Sequence, residues 1–489
     1  MDTDSTRRTA PNIPYSSLFM LLIVLLLSAA ACQSTPPVNP GLVAITALPT
    51  YDPYDIDRLC STLNSSWGSD WPRVIATLEK LHEDQAQCNG EDPALKLYPA
   101  YYNYGAALES QGDTTGAVKA YQNALSVNPQ GKEVVIALKK YNIFTPMPLS
   151  TCSELEIKTA LAGVPPYTPQ GQGGFAKVDS GKLSVGNVVF HVRGVNYYPV
   201  RAPWKRFLLE TDLTQAAQEL DLIHDTGFNT LRIFLIYDTL FQCPGNGTVP
   251  KPQSFAKLDG ILNLAIARGF HVLITLNDSP DLTVRPLYLY PEVAAAQTAY
   301  IVERYRAEPA VLAWDLRNEG DIDYTRSGFD SNVVLNWLKQ TAAAVRQIDG
   351  NHLLTAGWLN DAQVTDSAVD FLSFHHWSGQ QSLLARIAVM RIYTQKPLLL
   401  EETGLSTFGV GEEAQSTMLH ELISAIEHGG YAGWIVWTAF DFPAEVTCTP
   451  PACPGHENGE NHFGLWHTDY TPKPAVAMLK ELVKSLDHP

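Results

Sequence analysis

Two glutamates in this chain stand directly after short apolar runs. Glu319 and its neighbour Asn318 follow residues 311–317, and Glu402 comes just after residues 396–400. Such runs are typical of buried parallel strands, and a carboxylate at the carboxyl end of one has no packing reason to be there. Two carboxylates from different strands that face one cleft are what cleavage of a glycosidic bond requires. The sequence therefore predicts a pair of catalytic carboxyl groups.

The elements that must position these glutamates recur along the second part of the chain. The predicted strands are residues 192–198, 229–237, 271–277, 311–319, 352–358, 371–377, 398–402 and 432–441. The clearest amphipathic helices between and after them are residues 213–224, 255–268, 293–305, 333–348, 383–393, 418–428 and 475–486. Eight alternations predict an α/β fold, a (β/α)8 TIM barrel with its site at the strand ends. A doubly wound open sheet is the alternative, and the absence of a GxGxxG turn after any strand disfavours it.

Other predicted strands also end in polar and aromatic side chains. These are Tyr198, Arg232, Asp278, Trp358, His375, Trp377, Trp434 and Trp437. Trp358 and Trp434 are interpreted as packing residues. No His or Cys cluster with metal-ligand spacing is evident in the sequence, so neither a metal nor another cofactor is expected.

The barrel region, about residues 175–487, resembles a clan A glycoside hydrolase and is most similar to glycoside hydrolase family 5. The motifs that carry this resemblance are the Asn-Glu pair at strand four and the Glu-x-Gly from Glu402 to Gly404 at strand seven. The resemblance implies that Glu319 is the general acid/base and Glu402 the nucleophile. It also implies substrate-site roles for four residues, which are Arg232 beneath the nucleophile, Asn318 on the sugar 2-hydroxyl, His375 near the catalytic centre and Trp437 under the sugar ring.

Electrostatics agree with these roles. A nucleophilic carboxylate must stay ionised, and a nearby Arg232 is expected to lower the pKa of Glu402. Glu401 is the rival nucleophile, but strand alternation puts residues 401 and 402 on opposite faces and the following Gly404 favours Glu402. Strand phase likewise favours His375 over its neighbour.

The chain departs from the family pattern at two strands. Where the family has His-x-Tyr, with the tyrosine reaching the nucleophile, this chain has His375-His376-Trp377. Trp377 is predicted to bind substrate, and Tyr197 or Tyr198 is the predicted replacement for the missing hydroxyl. The family's histidine after strand three is absent, and Asn277 and Asp278 occupy that neighbourhood.

The amino-terminal residues 1–32 resemble a bacterial lipoprotein signal. Arg7 and Arg8 precede the apolar residues 18–27, and small residues lead to Cys32, the predicted lipidation site. Ala29 stands where that motif most often has Leu, and ordinary secretion or an uncleaved anchor is the alternative. We expect an exported protein that contacts the membrane only through this lipid, with residues 33–50 as a linker.

Residues 51–143 predict a small all-α domain before the barrel. Tyr101, Tyr104, Gly105, Ala117 and Tyr121 match one tetratricopeptide-like helical pair. The domain is either a groove for a protein partner or a spacer. Residues 144–174 are rich in Pro and Gly and form a second linker, and the barrel then extends over residues 175–487.

Composition and cysteine usage fit an exported globular protein. Hydrophobic residues are 45% and the formal net charge is −17, which argues against a nucleic-acid partner. Without Cys32, six cysteines remain, an even number that suggests disulfides. The simplest pairs are Cys448 with Cys453, Cys60 with Cys88, and Cys152 with Cys243.

The sequence as a whole predicts a retaining β-glycosidase that acts on a β-linked glucan or mannan. Transglycosylation uses the same two glutamates and stays open. The alternative from another class is an inactive carbohydrate-binding or scaffold lipoprotein, whose helical domain recruits partners.

Overall fold

The computed structural model of the protein describes residues 56–83, 86–88, 92–128, 131–141, 149–278, 287–288, 291–325, 330–447 and 457–487. The predicted signal with Cys32, the linker 33–50 and the Cys448–Cys453 pair lie outside these residues. Chain contacts separate two compact units, Met1–Asp92 and Pro93–Pro489. Within the described residues, no helix has both the length and the apolar character needed to span a membrane.

The described part of the first unit contains two helices, Ile56–Ser66 and Trp71–Glu83. Their buried aliphatic side chains are Leu59, Leu63, Val74, Ile75, Leu78 and Leu81. A disulfide joins Cys60 to Cys88, as the sequence predicted. A core this small gains from a covalent link, because small domains bury little of their surface.

The second unit begins with three more helices, Ala94–Ser110, Thr114–Val127 and Lys132–Lys139. The ring of Tyr121 packs where Gly105 leaves room, since a Cβ on that glycine would lie 2.6 Å from the ring. The small residue at position 105 thus lets the two helices approach closely. The tetratricopeptide assignment itself stays a prediction, and the division at Asp92 falls inside the predicted domain 51–143.

A helix and a small antiparallel sheet lead into the barrel. The helix is Glu154–Ala162, and the strands are Ala176–Asp179, Lys182–Val185 and Val188–Val189. The second predicted disulfide, Cys152–Cys243, joins the segment before this helix to a barrel loop. Ala176 and Leu183 pack against residues near the starts of the barrel strands, among them Leu312. The small sheet therefore covers the amino-terminal end of the barrel.

Eight parallel strands form a closed ring, which confirms the predicted fold class. They are β1 Val192–Asn196, β2 Thr230–Phe234, β3 His271–Thr275, β4 Val311–Asp315, β5 Leu353–Thr355 with Gly357–Trp358, β6 Leu372–His375, β7 Leu398–Thr403 and β8 Gly433–Val436. The first piece of β5 pairs with β4 and the second with β6, so the ring passes through both. Pairing of β8 with β1 closes it.

The seven predicted barrel helices are all present. Their bounds are Leu213–His224, Pro252–Ile266, Pro291–Tyr305, Ser331–Ile348, Gln380–Tyr393, Glu412–His428 and Pro474–Asp487. Most begin a few residues earlier than predicted, because polar first turns such as Glu412-Glu413 carry no apolar signal. Shorter helices are Phe207–Glu210, Tyr237–Leu240, Asp321–Thr325 and Ala444–Thr447, and 3-10 turns are Trp204–Arg206, Pro244–Asn246, Ala362–Ala368 and Gly459–His462. A two-stranded ribbon joins Phe241–Gln242 to Val249–Pro250.

Two tryptophans that the sequence assigned to packing are core residues. Trp358 and Trp434 have no exposed surface. The indole of Trp358 donates to the hydroxyl of Tyr324 at 3.1 Å, and that of Trp434 donates to Glu427 at 2.9 Å. Their ring nitrogens are thus satisfied inside the protein, as buried polar groups require.

Candidate active site

Glu319 and Glu402 meet at the carboxyl end of the barrel. Glu402 belongs to β7 and Glu319 follows β4, and a carboxylate oxygen of one lies within 4.8 Å of an oxygen of the other. Glu319 has a φ of 47°, a left-handed conformation that costs a non-glycine residue roughly 1–2 kcal/mol. Its N–H donates to the carbonyl oxygen of Gly357 at 2.7 Å. The β5 backbone thereby fixes the direction of this side chain.

Glu401 and Glu402 both approach the same buried arginine, so the predicted alternation of their faces is wrong. The pairing of β7 with β8 shifts register between Leu400 and Thr403, and such irregularities let successive residues turn toward one side. Glu402 accepts a hydrogen bond from Nη1 of Arg232, and Glu401 Oε1 lies 3.6 Å from Nε of Arg232. Of these two glutamates, Glu402 borders the cleft and Glu401 is fully buried. The choice of Glu402 over Glu401 therefore has a structural basis.

Arg232 connects four strands from a position with no exposed surface. Its Nη2 donates to Asp315 at 2.7 Å and to the amide oxygen of Asn318 at 2.9 Å. Its Nη1 donates to Asn196 at 3.2 Å and to Glu402. Burial lowers the pKa of Arg232, but the neighbouring carboxylates outweigh that effect and raise it. The cation is thus permanent and lies against Glu402, the residue for which the resemblance implies the role of nucleophile.

His375, in β6, lies between the two glutamates. Its Nδ1 is 2.9 Å from Glu319 Oε1 and 3.3 Å from Glu402 Oε2. Burial lowers the pKa of His375, but the adjacent carboxylates raise it to about 10. The neighbouring His376 instead has its Nε2 3.2 Å from the carbonyl oxygen of Gly379, outside this group. The structure thus brings His375, and not His376, to the carboxylate pair.

The pKa of Glu402 differs from what the sequence suggested. Burial raises this pKa to about 7, although the charges of His375 and Arg232 oppose the rise. The negative charge of Glu319 adds to it. This pKa therefore belongs to the pair of Glu402 and Glu319. It marks the pH at which the pair takes up its first proton, because the two carboxylates cannot easily be ionised together. The expected lowering by Arg232 is real but smaller than the cost of burial.

A chain of hydrogen bonds fixes Asn318 beside the cleft. The amide of Asn318 donates to Asp278 Oδ1 at 3.0 Å, and the hydroxyl of Tyr198 donates to Asp278 Oδ2 at 3.1 Å. Tyr198 lines the cleft but is only 1% exposed, and its ring stacks on Phe234 with centroids 5.2 Å apart. Tyr198 thus supports Asp278 from behind.

Neither predicted tyrosine replaces the family's hydroxyl at the nucleophile. The hydroxyl of Tyr198 goes to Asp278, and that of Tyr197 donates to Glu219 at 2.8 Å. A tyrosine hydroxyl has one proton to donate, and in both residues it goes to a carboxylate other than Glu402, so that prediction is wrong. Arg232 and His375 contact Glu402 instead.

The glutamates open into a cleft of about 350 Å³ with aromatic walls. Trp377 is 37% exposed and stands edge to face with Phe463, their centroids 5.7 Å apart. Trp437 follows β8 and is 9% exposed. Flat indole faces at two sides of a cleft suit the C–H faces of sugar rings.

The cleft is acidic. Four carboxylates line it, from Asp278, Glu319, Glu402 and Glu460, and its described lining contains no lysine or arginine. Burial raises the pKa of Glu460, and the charge of Glu319 adds to that rise. The sequence places Asp278 at a strand end but assigns it no role in the site, and it gives no indication of Glu460. Asp278 stands at a strand end and could have been found, whereas Glu460 follows a Cys- and Pro-rich segment without any periodic pattern.

Glu319, His375 and Glu402 also have the spacing of a metal site, with ligand atoms within 4.8 Å of one another. Their polar atoms, however, already contact each other, and Glu402 is hydrogen-bonded to Arg232. A permanent guanidinium beside Glu402 opposes binding of a cation. The arrangement is better suited to moving protons.

A closed (β/α)8 barrel with paired carboxylates over a buried arginine is typical of a glycosyl hydrolase. The family model described as cellulase (glycosyl hydrolase family 5) matches residues 192–440, about half of the chain. The chain belongs to glycosyl hydrolase family 5.

Curated relatives are mannan endo-1,4-β-mannosidases. The F enzyme of Aspergillus clavatus is 27% identical over 220 residues, which are 39% of this chain and 48% of that protein. The A enzyme of Podospora anserina is 29% identical over 299 residues, which are 48% of this chain and 76% of that protein. The chain spans about half the length of the mannosidase F enzymes it matches.

Solved structures share the fold at low identity. A glycoside hydrolase family 5 subfamily 18 protein of Streptomyces cattleya, in complex with Manβ1-4GlcNAc, has a TM-score of 0.53 at 18% identity, covering 61% of this chain and 81% of its own. An exo-β-1,4-mannosidase of an Opitutaceae bacterium has a TM-score of 0.52 at 19% identity, covering 65% and 62%. These likenesses support the barrel.

Proposed function

We propose that the protein is a retaining β-glycoside hydrolase that acts on a β-linked mannan or a related polysaccharide or oligosaccharide. The observation that carries this proposal is the carboxylate pair, with oxygens within 4.8 Å of each other at the base of an aromatic cleft. Retaining enzymes hold their carboxyl groups about 5–5.5 Å apart, and inverting enzymes need a wider gap for water. The mannanase relatives favour mannan over glucan.

In the first step, Glu319 gives its proton to the glycosidic oxygen while Glu402 attacks the anomeric carbon. The bond to the leaving sugar breaks, and a glycosyl ester to Glu402 forms. Arg232 and His375 stabilise the charge of Glu402 until that bond is made. Asn318, whose amide is held by Arg232 and Asp278, is positioned for the sugar 2-hydroxyl.

In the second step, Glu319 acts as the base. It takes a proton from water, whose oxygen attacks the anomeric carbon and releases Glu402 as a carboxylate. A sugar hydroxyl in place of water gives transglycosylation by the same residues. Two inversions leave the β configuration of the product unchanged.

The substrate class is tested with a polysaccharide panel on the purified chain. We expect β-1,4-mannan to be hydrolysed faster than β-1,4-glucan, with the β anomer appearing first in proton NMR. A β-glucuronide serves as the control and should not react, because four carboxylates around the cleft repel an anionic sugar. Initial release of the α anomer would contradict the retaining mechanism.

We expect kcat/KM for an oligosaccharide to fall as the pH rises above about 7. The raised pKa of Glu402 means that the pair holds its single proton below that pH and loses it above. Glu319 needs this proton in the first step, so the rate should fall about tenfold per pH unit on the alkaline side. A pH–rate profile measures the limb, and a plateau that extends to about pH 9 would rule this account out.

The remainder of the chain is proposed to hold the enzyme outside the cytoplasm. The disulfides Cys60–Cys88 and Cys152–Cys243 are typical of an oxidising compartment. Lipid on Cys32 would anchor the chain, with residues 33–50 as a linker before the helical domain 51–143. Residues 144–174 follow that domain as the predicted second linker, but they contain the helix Glu154–Ala162 and are tied to a barrel loop by Cys152–Cys243. That domain would either bind a protein partner or act as a spacer.

An inactive carbohydrate-binding or scaffold lipoprotein is the less favoured alternative. An inactive barrel has no need of a buried arginine that neutralises Glu402 or of a histidine between both glutamates. The same panel separates the two functions, because an inactive barrel would bind mannan without releasing reducing ends.

A further inference from the structure

A third glutamate lies beneath the catalytic pair. Glu401 has no exposed surface, and neither of its carboxylate oxygens has a hydrogen-bond partner within the described residues. A buried carboxylate without compensation is costly, so such a group needs a specific cause.

Two cations face this carboxylate, one at each oxygen. Glu401 Oε1 is 3.6 Å from Nε of Arg232, and Glu401 Oε2 is 3.6 Å from Nε2 of His375. Both nitrogens are themselves buried and have no hydrogen-bond partner in the described part of the chain. The unpaired atoms of all three side chains thus face one another, and a shift of a few tenths of an ångström would join them.

The opposite ends of these cations contact the reacting groups. Arg232 donates to Glu402 through Nη1, and His375 reaches both Glu319 and Glu402 through Nδ1. Arg386 donates to the backbone oxygen of His375. A displacement of Glu401 would therefore be transmitted to both carboxylates of the pair.

The fold leaves space for this contact at Gly357. A Cβ at that position would lie 2.2 Å from Glu401 Oε2 and 2.7 Å from Nε2 of His375. A larger residue at position 357 would separate the carboxylate from the imidazole.

We propose that Glu401 is a positioning residue, whose carboxylate fixes Arg232 through Nε and holds His375 in its doubly protonated form. The single Nδ1–H of His375 then serves Glu402 before the glycosyl ester forms and Glu319 after it. The proton on His375 stays in place throughout the cycle. The raised pKa of His375 agrees with this role. Glu401 contributes to the rise, although less than Glu402 and Glu319 do. The proposal rests on the proposed function, but the state of His375 can be measured without turnover.

The test replaces Glu401 by Gln, which keeps the shape and removes the charge. We expect kcat to fall at least about tenfold and KM to change less than about threefold, with the melting temperature close to that of the wild type. The control is Glu427→Gln, which removes a carboxylate that is only 8% exposed and pairs with Arg193, outside the cleft lining. It should leave kcat unchanged.

Nitrogen-15 NMR of labelled histidine supplies the second readout, with His375 assigned from a His375→Gln variant. At about pH 7.5 the wild type should show both ring nitrogens of His375 protonated, and Glu401→Gln should lose one of these protons. A neutral His375 in the wild type would overturn the proposal even if the variant did not fold. An unchanged kcat and an unchanged imidazolium in Glu401→Gln would overturn it too. If the chain hydrolyses no substrate, the proposed function fails, while the NMR result still decides the role of Glu401.

Discussion

Replacing Glu402 by Gln is expected to reduce kcat by roughly 10⁵-fold on every substrate. The amide keeps the shape of the side chain and most of its contacts with Arg232 but cannot form a stable glycosyl ester. Substrate binding should persist, because the aromatic walls of the cleft are untouched. Steady-state kinetics and calorimetric titration with an oligosaccharide measure the two effects separately.

The matched control is Glu413→Gln, at the exposed start of the helix Glu412–His428. This variant should keep wild-type kcat, since the position is outside the cleft lining. Activity retained in Glu402→Gln and lost in Glu401→Gln would reassign the nucleophile to its neighbour.

Replacing Glu319 by Ala should divide substrates according to their leaving group. Oligosaccharides need the proton from Glu319, and their kcat/KM should fall about 10³- to 10⁴-fold. Aryl glycosides with acidic phenols leave without that proton, so their kcat/KM should fall far less. The ester on Glu402 should then accumulate, because water has lost its base, and a burst of phenol should report it.

Azide provides the control within the same variant. As a nucleophile that needs no base, it should restore turnover of the aryl glycoside and give a β-glycosyl azide. An equal loss for both kinds of substrate, or an α-glycosyl azide, would contradict the assignment of Glu319 as acid/base in a retaining reaction.

The sequence was sufficient to predict the barrel and the two glutamates that meet in it. Apolar runs of strand length ending in Glu319 and Glu402 predicted which ends of which strands would converge, because parallel strands all point the same way around the ring. Both disulfides within the described residues also followed from pairing cysteines that are consecutive along the chain. Local pattern and chain connectivity determine these features, and both can be read without coordinates.

What the sequence could not predict depends on irregular backbone and on summed electrostatics. The register shift in β7 brings Glu401 toward Arg232. Strict alternation along the strand would instead place Glu401 on the face opposite to that of Glu402. Glu460 reaches the cleft from a loop whose course no periodicity describes. The pKa of Glu402 balances burial and the charge of Glu319, which raise it, against the charges of His375 and Arg232, which lower it, and the direction of the net shift depends on distances that spacing does not give.

The small sheet beneath the barrel has a consequence for the route of the reactants. Ala176 and Leu183 cover the end of the barrel remote from Glu319 and Glu402, and the interior between is filled by side chains. In the described part of the chain, the barrel therefore opens at the carboxyl ends of its strands, where substrate would arrive and both products would depart. In the proposed mechanism, the water that frees the ester would enter by the space that the departing sugar has vacated, so release of the first product would set the earliest moment at which the second half of the reaction can begin.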